Sequence, residues 1–413
     1  VKSLTVLLAV CFVDMLGLML VAPLMAFYAL RLHAPEWTVG PLIASFAVAQ
    51  LISSPVWGKF SDRYGRRPAM LIGLAASGVA YLIFGFAGSL WMLFGSRLVQ
   101  GLGGGTTGVA QAYVADTMAP AERAKALGAL SAATSAGVVV GPVIGSMART
   151  FGTEIPGVVA AVLVVIAVAF AWWWLPESHV HRGATHTPSG RHIPPGRSVK
   201  QALWEIMRHP ALPAHRVIWI YVVGMLALNV VIGVLALYLK DTYGVTEQTI
   251  GYFFPIFGIV GVVMRAPPPF GVGVVGWANH KFGEVRTMQI GTAVLALGLA
   301  LMPIPAAFLP NAFALPAFIV FLTLVPVGTA LLFPASTSLV SQRTERHEIG
   351  LVMGAQQTFR GIMSIVGPVG ATLAFDTLGH GVPFYMAAAV VTVAGLLAMR
   401  EPRDRPVTAT ITT

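Results

Sequence analysis

The chain has 413 residues, 56% of them hydrophobic and 10% charged, with a mean hydropathy of +0.78, against about 25% charged residues in an ordinary soluble domain. That balance excludes a water-soluble enzyme of one or two domains, and the single cysteine, Cys11, excludes intrachain disulfides and cysteine-held metal clusters. The net charge of +10 does not point to nucleic acid, because the basic residues fall in short breaks between apolar stretches, where they suit anionic headgroups and cytoplasmic loops.

Apolar segments follow one another at 4–27, 39–57, 69–87, 90–115, 124–148, 155–175, 213–239, 249–276, 285–303, 307–339, 348–375 and 383–399. Most approach the ~20 residues that cross hydrocarbon as a helix, and none alternates like a barrel strand. The expected fold is an all-α integral membrane protein of twelve transmembrane helices. The first segment carries Asp14, lacks a small-residue cleavage site and is expected to be retained as a span. Arg31, Arg149 and Lys240 lie in connections on one side, while Arg97, Arg265 and Arg360 lie in or beside spans. All other Lys and Arg fall on the side that bears both termini, which is therefore expected to be cytoplasmic. The longest polar connection, 176–212, contains Pro176, Pro188, Pro194, Pro195, His179, His181, His186 and His192. It is expected to be a flexible or partly helical linker between bundles at 1–175 and 213–400, followed by a tail at 401–413. The histidines are irregularly spaced, so no metal and no cofactor is expected. The halves repeat: Gly128, Gly141 and Pro142 recur 226 positions later as Gly354, Gly367 and Pro368, and Gly58 and Gly65 recur 218 later as Gly276 and Gly283. Such duplication underlies many transporters.

Several strings carry candidate chemistry. Gly58 to Pro68, GKFSDRYGRRP, sets Asp62 among Arg63, Arg66 and Arg67 in a short loop, where Gly58 and Gly65 would permit close helix approach and a tight turn. Asp62 is expected to act as a latch, and Asp116, Glu122 and Arg123 to form an ion network that tunes gating. Asp14 lies about ten residues into its span, hence ~15 Å deep. A charge there is costly unless paired or wet, which suits a proton carrier, and Arg97 in the fourth segment would lie at a similar level as its partner. Gly137, Gly141 and Gly145 recur every four residues around Pro142, a flat and pliable packing seam. Candidate cavity contacts are Phe27, Tyr28, Gln50, Gln111, Tyr113, Asn229, Tyr252, Phe253, Gln356, Gln357 and Arg360. Trp172, Trp173 and Trp174 read as an interfacial belt. The prolines at 267–269 are expected to break or kink the eighth segment.

These strings resemble the major facilitator superfamily, and within it the twelve-span drug–proton antiporters that include tetracycline exporters. The 58–68 loop resembles the family's signature between spans two and three. RLVQGLGGG from Arg97, the GVVVGPVIG run from Gly137 to Gly145, and Asp14 with Gly17 and Pro23 fall on further family motifs. The resemblance implies two pseudo-symmetric six-helix bundles around a cavity, in the plasma membrane of a bacterium. It further implies a monomer among membrane lipids that exports a small amphipathic organic substrate or drug in exchange for protons. Uptake or facilitated passage of a small metabolite, and a non-transporting receptor, are the alternatives. The chain departs from the pattern where Asn279 replaces the counterpart of Asp62, where Gly251 to Gly283 spans 32 positions against 25 from Gly40 to Gly65, and where 69–87 lacks an acid.

Overall fold

The computed structural model describes residues 2–178, 199–210, 212–265, 273–345 and 348–399. The linker histidines, the prolines at 267–269 and the 401–413 tail lie outside them. Among the described residues the protein is helical throughout, a multi-span integral membrane protein, because a chain this apolar can satisfy its backbone in lipid only within each segment.

The first segment is α1 (Lys2–Val21), which continues through a 3-10 turn at Ala22–Leu24 into α2 (Met25–Arg31). Then come α3 (Val39–Tyr64), α4 (Arg66–Gly85), α5 (Leu90–Gly103), α6 (Thr106–Thr117), α7 (Pro120–Arg149) and α8 (Ile155–Trp174). Part of the expected linker forms α9 (Val199–Arg208), which buries Ala202 and Ile206. The second half holds α10 (Pro213–Tyr243), α11 (Pro255–Arg265), α12 (Val274–Phe282), α13 (Glu284–Leu301), α14 (Ile304–Phe308), α15 (Asn311–Arg343), α16 (Ile349–Leu378) and α17 (Val382–Met399). Among the described residues, ten helical stretches are long and apolar enough to cross a membrane. The fourth expected segment is instead split into α5 and α6 at Gly104, and the eighth contains α11 and α12. The tenth runs as one 33-residue helix with Pro316, Pro326 and Pro334 inside it.

The residues group into two compact units. The first contains α1–α8 together with Asn229–Ile259 and Gly361–Pro383; the second contains Arg197–Leu228, Val260–Arg360 and the final helix. Packing repeats between them as the sequence does. In the first unit, a Cβ on Gly73 would meet the Gly103 carbonyl oxygen at 2.8 Å and one on Gly103 would meet that of Gly73 at 2.9 Å. In the second unit, Gly291 and Gly328 stand in the same reciprocal relation, at 2.8 Å each way. Small residues let helix backbones touch where lipid supplies no hydrophobic drive for association. The result is a pseudo-symmetric, two-bundle helical membrane fold.

The break at Gly104 exposes carbonyls that α3 satisfies. Gln50 Nε2 donates to the Gly104 oxygen at 3.1 Å, Ser53 Oγ to Gly101 at 3.0 Å, and the Trp57 indole N–H to Leu102. Gln50 therefore ties α3 to the break.

Candidate functional site

On α1, Asp14 is half-buried. One turn on, Gly17 has no side chain, and the space is filled by Tyr81 of α4, whose hydroxyl would lie 2.9 Å from a Cβ there. Tyr81 accepts from Gln100 Nε2 at 2.8 Å, and Gln100 lies one turn from Arg97 on α5. Tyr81 is within electrostatic reach of both Asp14 and Arg97. Asp14 and Arg97 form no ion pair; Arg97 is 3% exposed, with Nε and Nη2 lacking a hydrogen-bond partner among the described residues. Tyr81 thus packs at Gly17, one turn from the acid, and is hydrogen-bonded to Gln100, one turn from the arginine.

At the end where α3 meets α4, Gly65 has φ +105°, and a Cβ there would stand 2.5 Å from Glu177 Oε2. The open turn lets Glu177 cap α4, accepting from the backbone N–H of Arg66 at 2.8 Å and of Arg67 at 3.1 Å. Arg66 joins Asp62 at 2.7 Å and Asp116 at 2.9 Å. Arg67 reaches the Trp172 carbonyl and its ring, and Arg63 lies over Tyr64. Asp62 of α3 pairs with Arg66 of α4 across the turn, and Arg66 also bridges to Asp116 of α6. Two corrections follow. Gly58 faces open space within 4 Å, so no close approach depends on it. Arg123 bonds the Met118 carbonyl at 3.0 Å, and Glu122 sits exposed in the first turn of α7, so neither joins that bridge. In the second unit the equivalent positions carry Glu284 and Gln342, 218 after Arg66 and 226 after Asp116. Glu284 accepts from Gln342 at 2.8 Å and from Ser338 at 2.6 Å. By the same offset of 218 the counterpart of Asp62 is His280 rather than Asn279, and the acid of this region stands at Glu284, with the polarity of the bridge reversed.

The α7 seam packs as its glycines imply. Cβ atoms on Gly137 and Gly141 would fall 2.7 and 2.6 Å from the carbonyl oxygens of Phe12 and Leu16 on α1, and Gly145 lies against Leu20. At the distal end of the first unit, away from the N-terminus, two further seams join helices of the two sequence halves. Pro142 is pressed against Gly251, and Ser146 Oγ accepts from Gly251 N at 2.8 Å and donates to the Glu247 carbonyl at 2.9 Å. Pro368 is pressed against Gly40, and Thr372 Oγ1 donates to the Trp37 carbonyl at 3.0 Å. Ser146 and Thr372 are themselves 226 positions apart. Glu247 also takes Arg31 at 2.5 Å and the Arg149 Nε–H. Tyr28 is buried here, stacked on Phe84 and bonded to the Thr153 carbonyl, with Phe27 buried beside it in sequence. Tyr113 is likewise buried, donating to the Pro176 carbonyl at 2.9 Å. Near these seams Glu36, Asp241 and His380 cluster, but the Lys240 ammonium already sits 2.6 Å from Asp241.

The second unit contains a cleft of about 790 Å³ lined by Tyr221, Met225, Phe333, Met353, Arg265 and Arg360, with the hydroxyls of Thr337, Ser338 and Ser341. Arg360 lines this cleft. Gln356 is 3% exposed and bonds Thr337 at 3.3 Å, behind the lining. Gln111, Gln357 and Tyr252 are exposed, and Asn229 and Phe253 are half-buried. Arg265, Glu177 and Glu247 escaped the sequence reading. An arginine in an apolar segment was the available signal for Arg265, whereas nothing local marks two loop acids as a helix cap and a partner of two arginines.

The Major Facilitator Superfamily model matches residues 7–272 and 267–412. The chain is 28% identical to the class B tetracycline resistance protein of Escherichia coli over 388 residues, covering 93% of this chain and 90% of that protein. It is 30% identical to multidrug resistance protein 2 of Bacillus subtilis (strain 168) over 400 residues, covering 95% and 94%. Among solved structures it superposes on the human organic anion transporter MFSD10 (TETRAN) with a TM-score of 0.66 and 20% identity over 96% of this chain and 99% of that one. With a POT family transporter in complex with 5-aminolevulinic acid the TM-score is 0.71 at 15% identity, over 96% and 95%. A multi-span helical architecture with duplicated packing and a family match along nearly its whole length make this a non-catalytic membrane transport protein for a small organic solute, and the chain belongs to the Major Facilitator Superfamily.

Proposed function

We propose that the protein is a twelve-span, proton-coupled exporter of an amphipathic organic compound, working by alternating access in the plasma membrane with both termini in the cytoplasm. The observation that carries this reading is the pair of seams at the distal end of the first unit. Each is a single hydroxyl contact beside a proline–glycine approach, Ser146 against Glu247 and Gly251 in one and Thr372 against Trp37 in the other. Closure by a few polar contacts, with Arg31 and Arg149 on Glu247, costs little to break and re-form, as a gate requires. Asp14 supports proton coupling, since an acid inside a span can take a proton in one state and release it in another, and only differential binding between states couples two fluxes.

Facilitated passage or uptake is the second reading, favoured by the absence of an Asp14–Arg97 ion pair. Counterflow in proteoliposomes under an imposed pH gradient separates the two, using labelled lipophilic compounds and small metabolites. Gradient-driven flux that is lost in Asp14→Asn while binding survives supports Asp14 as the coupling acid. Flux indifferent to the gradient in both proteins overturns export by proton exchange and leaves facilitated passage.

A further inference from the structure

The cleft of the second unit has a charge pattern that the transport reading leaves unused. Two arginines, Arg265 and Arg360, line it, and no Asp or Glu does among the described residues. Glu284, beside the lining, is already occupied, accepting from Ser338 Oγ at 2.6 Å and from Gln342 Nε2 at 2.8 Å. Arg265 makes no ion pair among the described residues, and its guanidinium lies back along α11, with Nη1 3.4 Å from where a Gly261 Cβ would be. A larger residue at 261 would contest that position. Arg360 enters from α16 and lies within electrostatic reach of the Tyr221 hydroxyl.

Keeping cations in an apolar segment is unfavourable unless something compensates them. A cleft with two guanidinium groups and the hydroxyls of Thr337, Ser338 and Ser341 offers donors to an anion and repels a cation. Its remaining wall is adaptable and apolar. Tyr221 and Phe333 have ring centroids 5.2 Å apart at 58°, and Met225 and Met353 flank them in the lining. A volume of about 790 Å³ suits a drug-sized molecule.

We infer that this cleft selects amphipathic organic anions, holding a carboxylate or sulfonate on Arg265 and Arg360 and the apolar body against Tyr221 and Phe333. The inference rests on the reading of the chain as a carrier of small organic solutes and names the substrate class of that carrier.

The test uses purified full-length protein and three probes that share one fluorophore: dansylglycine, an anion at pH 7; dansylamide, which is neutral; and dansylcadaverine, a cation. Fluorescence titration of the native protein is expected to give dansylglycine an affinity about tenfold or more above that of dansylcadaverine, the scale of one charge-assisted contact. Arg265→Gln and Arg360→Gln are each expected to weaken dansylglycine about tenfold while dansylamide stays within about twofold. A variant that merely misfolds loses dansylamide as well; Arg265→Lys and Arg360→Lys, which keep the charge, then decide by preserving the anion preference. Equal or tighter binding of dansylcadaverine overturns the inference. So does an anion preference that survives in the Arg265→Gln, Arg360→Gln double variant, or an absence of dansylglycine binding up to millimolar concentration. Binding is read without a gradient, so loss of proton coupling leaves this result untouched, and loss of charge preference leaves the flux result standing.

Discussion

Gly251→Ala should open the distal end of the first unit. Gly251 sits in the 3-10 turn Ile250–Tyr252. A Cβ there would be 2.6 Å from the Pro142 carbonyl carbon and 2.6 Å from Ser146 Oγ, with the Pro142 oxygen closer still. Two of these neighbours are backbone atoms of α7, which cannot rotate away, so the added methyl must separate the segments and strain both Ser146 hydrogen bonds. Overpacking of this kind costs about 1–3 kcal/mol, equivalent to a roughly 5–150-fold fall in the closed population. The assay places Val39→Cys, 0% exposed at the start of α3, in a Cys11→Ala background and follows its modification by a membrane-impermeant maleimide. The rate should rise about tenfold or more with Gly251→Ala. Gly370→Ala, where a Cβ meets nothing within 4 Å, should leave the rate unchanged. An unchanged Val39→Cys rate in folded Gly251→Ala protein would refute the claim that this contact holds the distal end of the first unit closed.

Three further outcomes test other parts of the site. Glu247→Gln removes the charge that Arg31 and Arg149 share, in side chains that are 17–34% exposed. It should weaken closure by about 1–2 kcal/mol in the same maleimide assay, and an unaltered rate would make the triad incidental. Gly65→Ala forces a side chain onto φ +105° and against Glu177, so it should lower unfolding stability by about 1–2 kcal/mol. Combination with Glu177→Ala should be less than additive because the two share a contact; strict additivity would sink that explanation. Gln50→Leu strips the donor from the Gly104 carbonyl and should cost roughly 0.6–1.7 kcal/mol of stability, read as a lowered Tm. A Tm equal to that of the native protein would mean that Gln50 does not stabilise the broken helix.

Much of the architecture was legible because lipid makes it so. Where water cannot serve backbone groups, each long apolar run must be a helix, and the positions of Gly65, Gly137, Gly141 and Gly145 announced a turn and a packed face that the structure bears out. The split of the fourth segment was not legible. A run of three glycines permits a break at Gly104 but does not require one; what stabilises it is the arrival of Gln50, Ser53 and Trp57 from α3. Polar and aromatic residues inside spans were equally ambiguous one by one. Gln50, Tyr28 and Tyr113 had the composition of cavity contacts and prove to satisfy carbonyls, while Arg265 looked like a stray charge and lines the cleft.

Sequence alone thus determined the solvent, the helical class, the duplication and the position of an acid within the first span, because all four follow from hydropathy and spacing along the chain. Tertiary structure decided which partner each polar group meets. Glu177 caps a helix more than one hundred positions before it, and Glu247 binds arginines from two earlier connections. Asp14 and Arg97 form no ion pair, while Tyr81 packs at Gly17 and takes the Gln100 amide. A hydrogen bond needs its donor and acceptor within about 3 Å, and residues far apart in sequence carry no local mark of which of them the packing will bring that close.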